Sequence, residues 1–457
     1  MGATKRRTST PTRKQKAVRS KPSAAEQHCA PNKMNQTPFN PRTLVLDPTL
    51  ATILKNQLIL RSTNLLLGPA DNFTSETVAS VQAISILNES VCNLEIHQLA
   101  ITRAKALFDC KFANISTNFG KLVNRMVLFS LLRFGDLIME FDFGRGERFI
   151  NESALGLPNL WFEFVSFRIN QTTNLIDMSE ALKFITLCKP KLIFIKTNSY
   201  PREVNWLKLK EAADAVGARL VADISSISGL IAAGALPSPI PHCHVVLTAT
   251  HESLRGPLGS LIMTNDPPVA RQLSSVPIFQ RSNVSVAQAV AFHEALSPGF
   301  KEFAKSTVTN AKALSARFMR NGVSVITGGT DNHLVAIDLK PFRLTWETVN
   351  QALNSCFISA DDHSLPIDTS CFHFGTSGLT SRGMTEPQMN GIADIIAEIL
   401  LKLSLVREVP IQLEANARKF VFQLAFKFPV FHEIILPSPL EAKPPIQLTS
   451  QCPVNKS

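Results

Sequence analysis

Apolar residues return along this chain at two different spacings, and the change from one spacing to the other marks out its elements. Short runs rich in β-branched and aliphatic residues stand at 192–196, 220–224 and 245–248. Their length and composition suit buried strands. Between the first two, Trp206, Leu207, Leu209, Ala212, Ala213 and Val216 recur at helical spacing. Strand, helix, strand in that order predicts a parallel sheet with a right-handed crossover, hence an α/β fold. Further helices are expected over 78–87, 94–108, 122–132, 287–296, 300–320, 389–403 and 415–426. A helical pattern also begins at Asp47. Further strands are expected at 137–141, 160–167 and 334–338. In parallel sheets, ligands sit beyond the carboxyl ends of the strands. Asn198 and Ser199, then Asp223, then Thr250-His251-Glu252 follow the three central strands, so a site is expected there.

Composition then separates a folded body from its ends. The 457 residues are 45% hydrophobic and 18% charged, which suits a large globular chain. No apolar run approaches the length needed to cross a bilayer. The formal charge of +11 is concentrated: Lys5, Arg6, Arg7, Arg13, Lys14, Lys16, Arg19 and Lys21 face no acid within residues 1–25, and removing that +8 leaves +3. Residues 1–44 are too polar to offset their ordering entropy, and a disordered basic tail is expected. A solvated tail, a nuclear-import or nucleic-acid arm through Lys5 to Lys21, and a mitochondrial transit peptide compete for it. The transit peptide is disfavoured by the lack of an apolar face. The eight cysteines include no CxxC pair and no zinc-ligand spacing. Several sit in apolar runs, which points to a reducing compartment, cytoplasm or nucleus, and no metal site is expected.

Long phrases carry a resemblance. KLIFIKTNSYPR, AADAVGARLVADISSISGLIAAGALPSP, HCHVVLTATHESLRGP, GGTDNHLVAIDL and FGTSGLTSRGMTE lie in one order across most of 47–403. They resemble the serine hydroxymethyltransferase family, whose members use pyridoxal phosphate (PLP) to interconvert serine and glycine with tetrahydrofolate. The resemblance implies a fold type I PLP transferase: a mostly parallel seven-stranded sheet flanked by helices, with a smaller C-terminal α+β domain. Between the basic tail at 1–44 and a Pro-rich, loose tail expected from composition at 436–457, it further implies a dimer-interface arm at 45–85, a large domain at 86–300 and a small domain at 301–435.

The same comparison points to departures inside the expected pocket. The family's Schiff-base lysine falls at Glu252, and a carboxylate cannot form an imine. The arginine that grips the substrate carboxylate falls at His373, where an imidazole lacks the two-pronged fork. A tyrosine- and glycine-rich loop after Ser90 is missing. Tyr200 is the single tyrosine, and Glu89 either replaces that loop's glutamate or merely ends a helix exposed. The phosphate turn reads Asn118-Phe119-Gly120-Lys121, keeping Gly120 but placing a ring and a lysine beside it. The PLP-stacking histidine aligns with Arg148. A second phosphate turn appears as Gln280-Arg281-Ser282-Asn283. Asp223, which in the family pairs with the pyridine nitrogen, and His251 are kept, while Asn198 and Ser226 stand for a serine and a histidine. Asp223, His251, Asn198, Ser226 and Gly120 are therefore expected as vestigial coenzyme positions, and no catalytic set is intact.

These replacements predict that no PLP is covalently bound, although non-covalent binding stays open. They favour a non-catalytic partner or scaffold, as a homodimer or a heteromer with an active family member. Glycine hydroxymethyltransferase activity is the alternative reading, and a nuclear or nucleic-acid-associated role through the tail is a second.

Overall fold

A computed structural model of the chain describes residues 47–83, 94–118, 120–142, 161–274, 281–360 and 370–430. The chain divides into two compact units. Of Met1–Leu54, residues 47–54 are described and open a helix; Lys55–Ser457 holds all the described strands. In chain order the described elements are α1 (Pro48–Thr63), β1 (Leu65–Leu66), α2 (Glu76–Gln82), α3 (Leu94–Phe108), β2 (Phe112–Ser116), α4 (Lys121–Leu131), β3 (Leu137–Asp142) and β4 (Glu163–Arg168). Then come α5 (Met178–Cys188), β5 (Leu192–Lys196), α6 (Trp206–Val216), β6 (Arg219–Asp223), α7 (Ser228–Ala232), β7 (Val245–Ala249), β8 (Ser260–Thr264), α8 (Pro267–Leu273) and α9 (Ser282–Ala295). The last are α10 (Pro298–Arg320), β9 (Leu334–Asp338), α11 (Trp346–Ser355), β10 (Ile358–Ser359), β11 (Cys371–Gly375), α12 (Ser377–Ser381), α13 (Glu386–Val406) and α14 (Ile411–Lys427).

Seven strands form the main sheet in the order β2-β8-β7-β6-β5-β3-β4. The pairs from β7 through β4 are parallel, and β8 runs antiparallel to both β2 and β7. The apolar runs are continuous because the sheet is covered on both faces. On β5, Leu192 and Phe194 join Val123 and Val127 of α4 in one core. Ile193 and Ile195 join Leu209 and Ala213 of α6 in the other. A one-residue slip would exchange the two sets, so helix packing on both sides fixes the register.

Another core gathers around the antiparallel pair β9–β11. Phe374 packs against Phe318 of α10 and Phe372 at centroid distances of 5.5 and 5.0 Å. α10 joins the cores, entering with Phe300 and Ala304 on the first and ending with Leu314 and Phe318 in the second. Leu65 and Leu67 also fill this second core, and β1 pairs in parallel with β10. Arg382 fixes their approach. Its buried guanidinium donates to the carbonyls of Ser62, Asn64, Ala425 and Phe428, and burial lowers its pKa to about 10.

Most expected elements appear within a residue or two of their sequence bounds. The strand expected at 160–167 starts instead at Glu163, because Trp161 and Phe162 are drawn into an aromatic group with Phe129 and Phe134. The helix expected at 78–87 is described as α2. Ser75 caps it, its Oγ accepting from the Val78 amide at 3.1 Å. Residues 84–87 lie outside the described set. No described helix is long and apolar enough to cross a membrane.

Candidate functional site at the carboxyl ends of the strands

Asp223 ends β6, is buried, and is surrounded by donors from its own chain. Oδ2 accepts from Asn124 Nδ2 of α4 at 3.0 Å. Oδ1 accepts from the Ser225 amide at 3.1 Å and the Ser225 hydroxyl at 2.6 Å. Ser225 Oγ in turn accepts from the Ala249 amide at 2.9 Å, which ties the end of β6 to β7. These bonds give both buried carboxylate oxygens a partner from the chain itself. Asn124 and Ser225 were not singled out from the sequence. An asparagine on the apolar face of α4, and a serine two residues after a strand-end aspartate, were the signals that could have found them.

Just past the end of the neighbouring strand β5, the Thr197 amide and hydroxyl both donate to the Asp223 carbonyl at 3.0 and 3.1 Å. That places Asn198 beside Asp223. Asn198 Oδ1 and Ser226 Oγ are buried acceptors without a hydrogen-bond partner among the described residues. Buried polar atoms of this kind are rare enough to mark a candidate ligand site.

Glu252 follows β7 as the first residue of a short 3₁₀ turn, Glu252–Leu254, and its φ is +55°. Arg255, which ends the turn, has φ +61°. Two non-glycine residues in the left-handed region within four positions store backbone strain. Packing holds the turn there. Ser253 Oγ accepts from the Gly229 amide at 2.9 Å, Asn72 Nδ2 donates to the Glu252 carbonyl at 2.8 Å, and Arg255 Nε donates to the Phe73 carbonyl at 3.2 Å. The turn sits so close to α7 that a Cβ on Gly229 would lie 2.2 Å from the Ser253 carbonyl oxygen. The Glu252 side chain is only 12% exposed, with Oε1 3.7 Å from His251 Nε2. Burial lowers the His251 pKa, which keeps the imidazole neutral beside that carboxylate.

Asp223, Asn198, Ser226, His251 and Glu252 thus converge on one end of the sheet. Gly120 lies at the start of α4 with φ +62° and open space where a Cβ would project, as a backbone turn toward a ligand requires. Phe119, Arg148, Glu89 and Gln280 lie outside the described residues. Arg281 caps α9 without a side-chain bond, and Asn283 Oδ1 is buried without a described partner. His373 is buried on β11 and faces a cleft of about 380 Å³, lined also by Ser199, Asn174, Thr327 and Lys340. Sequence reasoning also missed Arg202. Its guanidinium donates to the Thr327 carbonyl at 2.6 Å and pairs with Asp331 at 3.1 Å. Thr330 Oγ1 and Asn332 Nδ2 reach the Pro201 and Tyr200 carbonyls, so the Gly328–His333 corner is docked on the loop that follows Asn198.

A mostly parallel seven-stranded sheet, a smaller second core joined to it by α10, and a polar cluster at the strand ends define the fold type I class of PLP-dependent proteins. Comparison with known proteins narrows the class. The family model described as serine hydroxymethyltransferase matches residues 44–396. A serine hydroxymethyltransferase of Bartonella tribocorum is 34% identical over 419 residues, covering 86% of this chain and 96% of that protein. Its counterpart from Bartonella henselae gives the same identity and coverage. The serine hydroxymethyltransferase of Rhizobium rhizogenes is 39% identical over 347 residues, covering 73% of this chain and 80% of its own length. The chain belongs to the serine hydroxymethyltransferase family.

Proposed function

We propose that this chain is a non-catalytic member of its family, a partner subunit or scaffold that keeps the framework and has lost the reaction. One observation carries the reading: Glu252 occupies the position equated with the Schiff-base lysine. The whole connection from Thr250 to Gly259 contains no lysine that could take over from it. PLP supplies an electron sink when it is bound in such a fold. The residues here do not fit a covalently held coenzyme, because attachment needs an amine where this chain has an acid. Asp223 and its supporting donors leave room for weak, non-covalent binding. His373 lacks the fork that would hold a substrate carboxylate.

The partner is a second copy of this chain or an active family member, in the cytoplasm or, through Lys5 to Lys21, the nucleus. The tail would meet an import receptor or nucleic acid, and nucleic-acid binding by it would weaken steeply with salt. The other reading, glycine hydroxymethyltransferase activity, draws on the preserved framework and on the names of the relatives. Purified protein incubated with PLP separates the two. The non-catalytic reading expects no visible internal-imine band and no lysine-linked pyridoxyl peptide after borohydride reduction. A stoichiometric pyridoxyl-lysine, at Lys121 or elsewhere, restores the enzyme reading.

A further inference from the structure

β2 is an edge strand of the main sheet, paired among the described residues with β8 alone. Alternate residues of an edge strand direct backbone N–H and C=O groups outward, where another extended chain can pair with them. A groove of about 290 Å³ runs along this edge. Its floor is apolar, made by Ile101, Phe112, Ile262 and Leu273. Phe112, the first residue of β2, is 40% exposed. At the rim stand Lys105 and Lys111, both exposed and neither in an ion pair with another described residue. Asp109 lies in the intervening turn but does not line the groove.

We propose that this edge is a docking site for an extended, acidic-and-apolar peptide segment of a partner protein, which adds a strand to β2. Backbone pairing would supply most of the affinity. The apolar floor would take every second side chain, and the two ammonium groups would select carboxylates on the segment. The occupant follows from charge complementarity, because a basic segment would meet the lysines and a purely apolar one would leave them unused. The proposal is independent of whether the pocket at the strand ends turns over substrate.

Lysines at a sheet edge can also serve only to discourage pairing between copies of a protein, and the test distinguishes that role. The probe is a fluorescein-labelled hexapeptide of alternating valine and glutamate, titrated with the full-length chain and followed by anisotropy. We expect saturable binding that weakens with salt, and no binding of the valine–lysine counterpart. The double variant Lys105→Glu/Lys111→Glu should bind the acidic peptide at least about tenfold more weakly and should gain affinity for the basic one. Ser274→Asp, at the groove rim, should weaken acidic-peptide binding by a smaller factor and serves if the double variant does not fold. Peptides N-methylated at alternate positions supply the backbone readout: one set should abolish binding and the other should spare it. Absence of saturable binding, equal binding of both charge types, or equal effects of both N-methylated sets would each overturn the proposal.

Discussion

Glu252 sits in a left-handed backbone conformation, nearly buried, and its carboxylate lies 3.7 Å from a histidine that burial keeps neutral. On the non-catalytic reading, Glu252→Lys supplies an amine but leaves the other proposed replacements, His373 among them, in place. Pocket groups that act as a unit fail as a unit. The variant is expected to trap pyridoxal phosphate with borohydride yet to stay at least roughly a thousandfold below an active family enzyme in serine cleavage. Full activity would show that the other replacements matter little. His333 permits a prediction of another kind. Its Nε2 donates to the Pro69 carbonyl at 3.1 Å, while Nδ1 is buried without a described partner. Burial lowers its pKa from 6.5 to about 4. The unfolded chain therefore takes up a proton below about 6.5 that the folded chain refuses until about pH 4, and folding stability falls through that window. The loss attributable to this residue is about 3 kcal/mol. Melting temperatures of wild type and His333→Gln measured from pH 7 to pH 4 should converge as the pH falls. Parallel curves would remove His333 from the account.

At the scale of elements, short continuous apolar runs and helical patterns were enough to locate the buried strands and the long helices, because packing on both faces of the sheet leaves little choice of residue. What the sequence did not disclose is how strand ends are held. Asn124 reaches Asp223 across 99 positions and Arg202 reaches Thr327 across 125. No local pattern encodes contacts that far apart. Expectations at 160–167 slipped for a related reason: Trp161 and Phe162 suit a strand by composition but pack on the aromatic face of α4. The Arg202 fork joins the loop after β5 to the Gly328–His333 corner, and its partners are the Thr327 carbonyl and the Asp331 carboxylate. Arg202→Ala should destabilise the protein by about 2 kcal/mol, since it leaves the Thr327 carbonyl without this donor and Asp331 with only the Glu203 amide. Arg202→Lys should recover only part of this, because an ammonium on a flexible stem lacks the rigid planar fork that spans both partners. Urea midpoints of the three proteins test the ranking. Gly229→Ala would push a Cβ into the Ser253 carbonyl and should lower the midpoint, by about 1–3 kcal/mol, through displacement of the turn that carries Glu252.

Across the whole molecule, the family match runs over residues 44–396 and so through both cores, while the non-catalytic reading holds that the replacements, Glu252 and His373 among them, gather in the pocket beside the kept Asp223 and His251. Loss by drift would not sort in this way, because core positions are as easily damaged as a pocket and are less forgiving. On that reading the chain is kept for its surface, and two candidate surfaces follow: a proposed subunit contact with a family member and the β2 edge. The first is tested by co-expressing the chain with a tagged, active serine hydroxymethyltransferase and isolating the tagged protein. A partner subunit should co-purify in defined stoichiometry, survive salt that strips the Lys5 to Lys21 tail from nucleic acid, and resist exchange once assembled. Recovery of the chain only as a homodimer would leave it a scaffold that acts without its active relatives. Recovery as a monomer would sink the subunit reading.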